Sequence, residues 1–303
     1  MHVKKETSSL VLALSLAAAA CGDASTTSSD GSGGHSSSST STGFLSSGTG
    51  IGPDGCADET RLVYVLGSGR ELVSFDPSTL TLTQVGLVNC PVDGGPAVPP
   101  PTPFSMAVDR SGVAWLLYSD GSLFHLDVKD PNNCVKAAYK SQQLTGFDLF
   151  GMGFVSDAPG SQSERLYLGA YGGDGIGTLD LGTLMIDRVG YYDKISGPAE
   201  ITGTGEARLF GFFLSNPVQV AEIDKATSNI ISKRPLDKIH IGGAWAFAFW
   251  GGDFWLFTNP DGPTSHVDRY RPSDGTTIRM IEDTGLTIVG AGVSTCAPVL
   301  PPK

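Results

Sequence analysis

The stretch FSMAVDRSGVAWLLYSDGSLFHLD, residues 104 to 127, returns in outline along the chain, and a repeat of this length restricts the fold more than any single motif does. It divides into a small-residue strand SMAV, a tight turn DRSG, a strand VAWLLY, a second turn SDG and a strand SLFHLD ending at Asp127. The last two strands recur as RLVYVLGSGRELVSFD ending at Asp76, RLYLGAYGGDGIGTLD at Asp180, RLFGFFLSNPVQVAEID at Asp224 and DFWLFTNPDGPTSHVDRYR at Arg271. Intervals of 51, 53, 44 and 47 residues suit a four-stranded propeller blade. A β-rich segment such as LTLTQVG or NIISKR follows each copy and supplies an outer strand. With 40 Gly, 19 Pro and only 17% charged residues, the composition also favours many short elements over long amphipathic helices.

The strand before each copy repeats as well. Ser105-Met106-Ala107-Val108 aligns with Gly151-Met152-Gly153-Phe154, Ala199-Glu200-Ile201-Thr202, Ala246-Phe247-Ala248-Phe249 and Gly290-Ala291-Gly292-Val293. Side chains alternate across a strand, so one face of each innermost strand carries mostly Gly, Ala or Ser and the other carries larger residues. That asymmetry fits the crowded axis of a five-bladed ring. The first blade begins at Arg61 without an inner strand, while a fifth inner strand, IVGAGVSTC, is left over near the C-terminus. The expected fold is therefore an all-β, five-bladed β-propeller closed by the C-terminal strand joining the first blade, which leaves no open sheet edge at the seam.

The motif D-x-x-G-x-x-W at Asp109, Gly112 and Trp115, with D-G-x-L-x-x-L-D from Asp120 to Asp127, resembles blade repeats of the broad NHL, SMP-30 and two-component-regulator-like propeller families. The whole chain resembles propeller lipoproteins of Gram-negative bacteria, myxobacteria among them. The resemblance implies a fold and a location and no particular activity.

The N-terminus reads as an export signal. Lys4 and Lys5 precede the apolar run LVLALSLAAAA, residues 10 to 20, about half the length that spans a bilayer as a helix. Small residues directly before Cys21 resemble the bacterial lipobox, with Ala18 where Leu is usual and Leu16 two residues further back. The alternative is an ordinary secretory signal cut at an Ala-x-Ala site. Residues 1–20 are thus expected to be a lipoprotein signal peptide, and Cys21 the lipidation site. Residues 21–50 form a tether: 11 Ser, 5 Thr and 6 Gly among the 27 residues from Ala24 to Gly50 leave nothing to build a core. Residues 51–303 form one propeller domain.

With Cys21 lipidated, four cysteines remain, an even number suited to disulfides in an oxidising compartment. Circular closure sets Cys56 and Cys296 at the two ends of the seam, which pairs them and leaves Cys90 with Cys134 in loops of adjacent blades. Cleavage before Cys21 leaves 18 basic against 30 acidic residues, a net charge of −12 that argues against nucleic acid as a partner.

The search for chemistry returns single residues. No G-x-S-x-G elbow, P-loop or H-E-x-x-H occurs in the sequence. YGGDGIG, residues 171 to 177, lies between two strands and reads as a hairpin turn rather than a phosphate cradle. His125, His240 and His266 fall on a third strand, a connector before an inner strand and another third strand, all in different blades, as scattered structural or surface residues would. Asp76, Asp127, Asp180 and Asp224 close the third strands, where turn capping is expected. The rings in WAFAFWGGDFWLF, residues 245 to 257, are expected mostly to fill the wedge between blades. Glu200 stands apart, because a carboxylate occupies an inner-strand position that is otherwise apolar. A buried carboxylate needs a partner, either a neighbouring blade, a channel water, or a ligand or cation at the channel.

The preferred reading is a lipid-anchored envelope propeller acting as a binding or scaffold module for a protein, peptide or glycan. It is expected to be a monomer without cofactor or metal, attached to the membrane through its lipid and facing the periplasm or the outside. The alternatives are a metal-dependent hydrolase or lyase with Glu200 at the channel, and a structural envelope component. Replacing Cys21 with Ala is expected to move the protein from the membrane fraction to the soluble fraction after detergent-free lysis. A wild-type protein that is already soluble contradicts the anchor.

Overall fold

In a computed structural model, which describes residues 52, 54–93 and 99–301, twenty strands form five four-stranded antiparallel sheets arranged as a ring. Cys21 and the tether lie outside the described residues. The first sheet holds β1 (Val63–Gly67), β2 (Glu71–Asp76) and β3 (Thr81–Leu87). The second holds β4 (Pro103–Val108), β5 (Val113–Tyr118), β6 (Leu123–Asp127) and the two-residue β7 (Val135–Lys136). The third holds β8 (Phe150–Ser156), β9 (Glu164–Ala170), β10 (Ile176–Leu179) and β11 (Ile186–Gly190). The fourth holds β12 (Ala199–Gly203), β13 (Leu209–Phe213), β14 (Gln219–Ile223) and β15 (Ile230–Pro235). The fifth holds β16 (Trp245–Trp250), β17 (Asp253–Thr258), β18 (His266–Arg271) and β19 (Thr276–Ile281). The last strand, β20 (Ile288–Val293), pairs antiparallel with β1 and completes the first sheet, with Val293 opposite Val63 and Ala291 opposite Val65. The five-bladed ring and its closure are as the repeat implied.

The small face of the inner strands has a steric cause. A Cβ on Gly151 of β8 would stand 2.4 Å from the carbonyl oxygen of Ala199 and 2.7 Å from the Cα of Glu200, both on β12 of the next blade. Likewise a Cβ on Gly290 of β20 would stand 3.0 Å from the backbone nitrogen of Met106 on β4. Inner strands of successive blades thus touch backbone to backbone, which a larger side chain prevents.

Away from the axis the blades diverge, and large residues fill each wedge. The core is accordingly divided into five clusters, one between each pair of neighbouring blades. Between the fifth and first blades, Phe75 meets Trp255 and Phe257 edge to face at 5.3 and 5.8 Å. Between the fourth and fifth, Phe210, Phe212, Phe247 and Phe254 are buried together. Of the rings between 245 and 257, all are buried except Trp245, which is partly exposed. Full burial of such side chains contributes about 1.5–3 kcal/mol each.

The aspartates ending the third strands cap turns, as expected. Asp76, Asp127, Asp180 and Asp224 each accept a backbone N–H two residues on, from Ser78, Lys129, Gly182 and Ala226, at 2.8 to 3.0 Å. YGGDGIG is the hairpin between β9 and β10, with Gly173 at φ +79° and its nitrogen bonded to the Ala170 carbonyl at 2.9 Å.

Both expected disulfides are present. Cys56 and Cys296 join across the seam with Cα atoms 5.9 Å apart, and Cys90 joins Cys134 at 4.7 Å. Two structural disulfides belong to a chain that matures in an oxidising compartment. They close loops of 240 and 44 residues, so the chain-entropy model gives the seam bond about 1.5 kcal/mol more stabilisation than the second bond. Denaturant unfolding of Cys56→Ser/Cys296→Ser is expected to show the larger loss. A larger loss from the Cys90→Ser/Cys134→Ser pair contradicts closure at the seam as the greater constraint.

Candidate functional site

The inner strands run parallel to one another around the axis, so the ring has two distinct ends. At the end where these strands finish, residues of three blades are tied together. The Arg110 backbone N–H donates to Glu164 Oε1 at 2.8 Å, and its Nη1 donates to Thr295 Oγ1 at 2.9 Å. Thr295 Oγ1 in turn donates to Glu164 Oε2 at 2.6 Å. Arg110 Nη2 reaches the Asp54 carbonyl at 2.6 Å and lies 3.3 Å from Cys56 Sγ, which attaches this network to the seam disulfide. Burial pushes the Glu164 carboxyl up to about 7, against the lowering effects of Thr295 and Arg110.

Near the start of β12 sits Glu200, 5% exposed. Its Oε2 accepts the Ser105 hydroxyl at 2.9 Å. Ser105 belongs to the second blade and Glu200 to the fourth, and these are not neighbours in the ring. The bond therefore spans the axial channel instead of joining adjacent blades, which corrects the simpler of the expected pairings. Burial holds the Glu200 carboxyl well above its ordinary range, and the Ser105 hydrogen bond offsets part of that. The neighbouring fourth and fifth blades are joined by the Phe249 backbone N–H, which donates to Thr202 Oγ1 at 3.3 Å.

The other end, where the inner strands begin, is open. Above Glu200 lies a cavity of ≈ 70 Å³ lined by Phe104, Glu200, Ala244, Trp245 and Val289, with Pro103 and Gly243 completing the wall. Trp245 stacks on Tyr171 with centroids 6.1 Å apart, and Tyr171 meets Phe104 edge to face at 5.2 Å. Three rings from three blades thus form one rim. Tyr171 is 38% exposed, and Phe104 and Trp245 are partly exposed. A larger groove of ≈ 410 Å³ lies off the axis between the fourth and fifth blades. Its aromatic floor, Phe210, Phe249, Phe254 and Tyr270, is buried and consists of wedge rings already packed on one another.

Sequence reading singled out Glu200, counted Trp245 among the wedge rings, and missed Phe104, Tyr171, Arg110 and Glu164. Tyr171 was concealed in a glycine-rich turn, and Phe104 sits one residue before the aligned block. The histidines remain apart: His125 lies against Trp115 in the second blade, His266 is on β18, and His240 is in the connector before β16. Among the described residues no three His, Cys, Asp or Glu side chains gather as ion ligands.

Fold and site together define a five-bladed propeller whose channel is crossed by a buried carboxyl and opens to an aromatic mouth at one end. No protein-family profile matches the chain, and no curated protein sequence matches it. Solved structures similar to it include a catalytically inactive virginiamycin B lyase from Staphylococcus aureus with quinupristin, at 14% identity, TM-score 0.42, and coverage of 78% of this chain and 72% of that one. Another is the Swd1 β-propeller domain from Myceliophteria thermophila, at 12% identity, TM-score 0.42, and coverage of 73% and 69%. A luciferin-regenerating enzyme matches at 14% identity, TM-score 0.43, over 71% and 75%.

The Glu164 network has a definite pH signature. Its folded pKa of about 7 lies above the ordinary 4.5, so between these values the folded chain holds a proton that the unfolded chain has released. This contribution to stability is complete below pH 4.5 and is lost as pH rises through 7. Glu200, raised by burial, acts in the same direction. Unfolding free energy is expected to fall from pH 5 to pH 8, and Glu164→Gln is expected to flatten that slope in urea titrations at several pH values. An unchanged slope in the variant contradicts the assignment.

Proposed function

We propose that the protein is an exported, lipid-anchored binding module that presents its propeller at the cell envelope and takes its ligand at the aromatic mouth of the channel. The observation that carries this reading is the pairing of a partly exposed three-ring rim with a buried carboxyl directly beneath it. Aromatic side chains left partly exposed around a concavity form adhesive surfaces, since they bury large area at small entropic cost. The opposite end is occupied by the Arg110 and Glu164 network and the seam disulfide, so its residues are committed to closure. The signal run, Cys21 and the Ser-rich tether support display on the envelope, and the disulfides fit that compartment. The hydrolase or lyase alternative has less support at this mouth. A hard divalent cation takes six or more oxygens, and among the described residues Glu200 is the one carboxyl lining the cavity.

A photo-crosslinking residue placed at Tyr171 of the full chain in cells is expected to capture a ligand that the same residue at Met185 does not. Met185 is 54% exposed at the edge of the third blade and serves as the control. Equal capture at both positions, or none at Tyr171, defeats the mouth as the binding surface.

A further inference from the structure

We infer that the cavity above Glu200 receives the methylated ammonium head group of a small solute, with the Glu200 carboxylate as its counter-charge and the rings of Phe104 and Trp245 against its methyl groups. This rests on the mouth being the binding surface and specifies the chemistry that the surface selects.

The first support is size. At ≈ 70 Å³ the cavity is well below the roughly 300–1,000 Å³ of sites that enclose a whole small molecule, so it admits one head group and leaves the rest of the ligand on the rim.

The second is the character of the wall. Apart from Glu200, the lining side chains are apolar or aromatic, and the Trp245 indole N–H is already buried without an acceptor among the described residues. A primary ammonium brings three N–H donors and meets one carboxyl, leaving donors unsatisfied in a desolvated site, which is costly. A quaternary ammonium carries no N–H donor. Its diffuse charge is attracted to the faces of aromatic rings, the more strongly as water is excluded.

The third is charge. The elements packed around Glu200 supply the Ser105 hydroxyl from β4, the Gly151 backbone from β8, Trp245 from β16 and Val289 from β20. No positive side chain among the described residues is near enough to figure in its ionisation, so the carboxyl has hydrogen-bonding but no ionic compensation. A cation in the cavity supplies what is missing and favours the ionised carboxylate, a bound proton leaving to solvent. The chain's net charge of −11 also draws cations toward the ring and repels anions.

The test uses purified full-length protein in a maltoside detergent and follows tryptophan fluorescence and heat on adding choline. Its neutral isostere, 3,3-dimethylbutan-1-ol, has the same shape without the charge. Saturable choline binding at least tenfold tighter than the alcohol is expected, with at least a tenfold loss in Glu200→Gln. Ala244→Leu fills the cavity while leaving Glu200 in place, and is expected to lose binding too, so the result stands even if Glu200→Gln fails to fold. Equal affinity for choline and the alcohol overturns the inference, as do wild-type affinity in a folded Glu200→Gln variant or no choline binding at all. Failure here with specific cross-linking at Tyr171 removes the ammonium assignment alone, whereas absent cross-linking removes the mouth itself.

Discussion

Backbone-to-backbone contact between neighbouring inner strands is the constraint on which the rest of the molecule depends. At Gly151 the approach to β12 is so close that a single methyl group has no room, and Gly153, Gly290 and Gly292 stand in similar contacts. Main chains that close bring all five inner strands around one narrow axis. Only in such a channel can a glutamate on the fourth blade reach a serine on the second, and Ser105 is itself one of the small residues of the packed face.

The same geometry gives the two ends of the ring different duties. Where the inner strands finish, Cys56 and Cys296 meet at the seam, and opening is resisted by their bond together with Arg110, Thr295 and Glu164. These residues are engaged with one another across three blades. Where the strands begin, Tyr171 in the turn after β9 packs on both Phe104 of β4 and Trp245 of β16, yet part of each ring faces water. Phe104 and Trp245 belong to strands of the ring itself, so the rim is held by the same inner strands that the far end ties together.

Much of this was legible from residue order because it repeats. Five copies of a strand-turn-strand unit announce their period, and alternating small and large residues announce which face is crowded. A leftover strand at the C-terminus then has one place to go, and that placement paired the cysteines. Glu200 was visible as a break in an aligned column of Met and Phe. Its partner was not, because Ser105 looks like any other small residue of the packed face, and the bond joins blades that are not consecutive. Arg110 was concealed within a turn motif whose Asp109 and Gly112 explain the local chain path without it.

The sequence by itself determined the architecture, the closure, the disulfide pairs and the turn-capping role of the strand-ending aspartates. These follow from period, alternation and local hydrogen bonding, all of which are written along the chain. Only the tertiary structure decided which aromatic rings fill wedges and which form the mouth, and which end of the ring is tied. Trp245 and Phe247 stand two residues apart on one strand, yet one is partly exposed at the rim and the other is buried between blades. Their difference is depth along the axis, a coordinate created when five separate blades converge and contained in none of them alone.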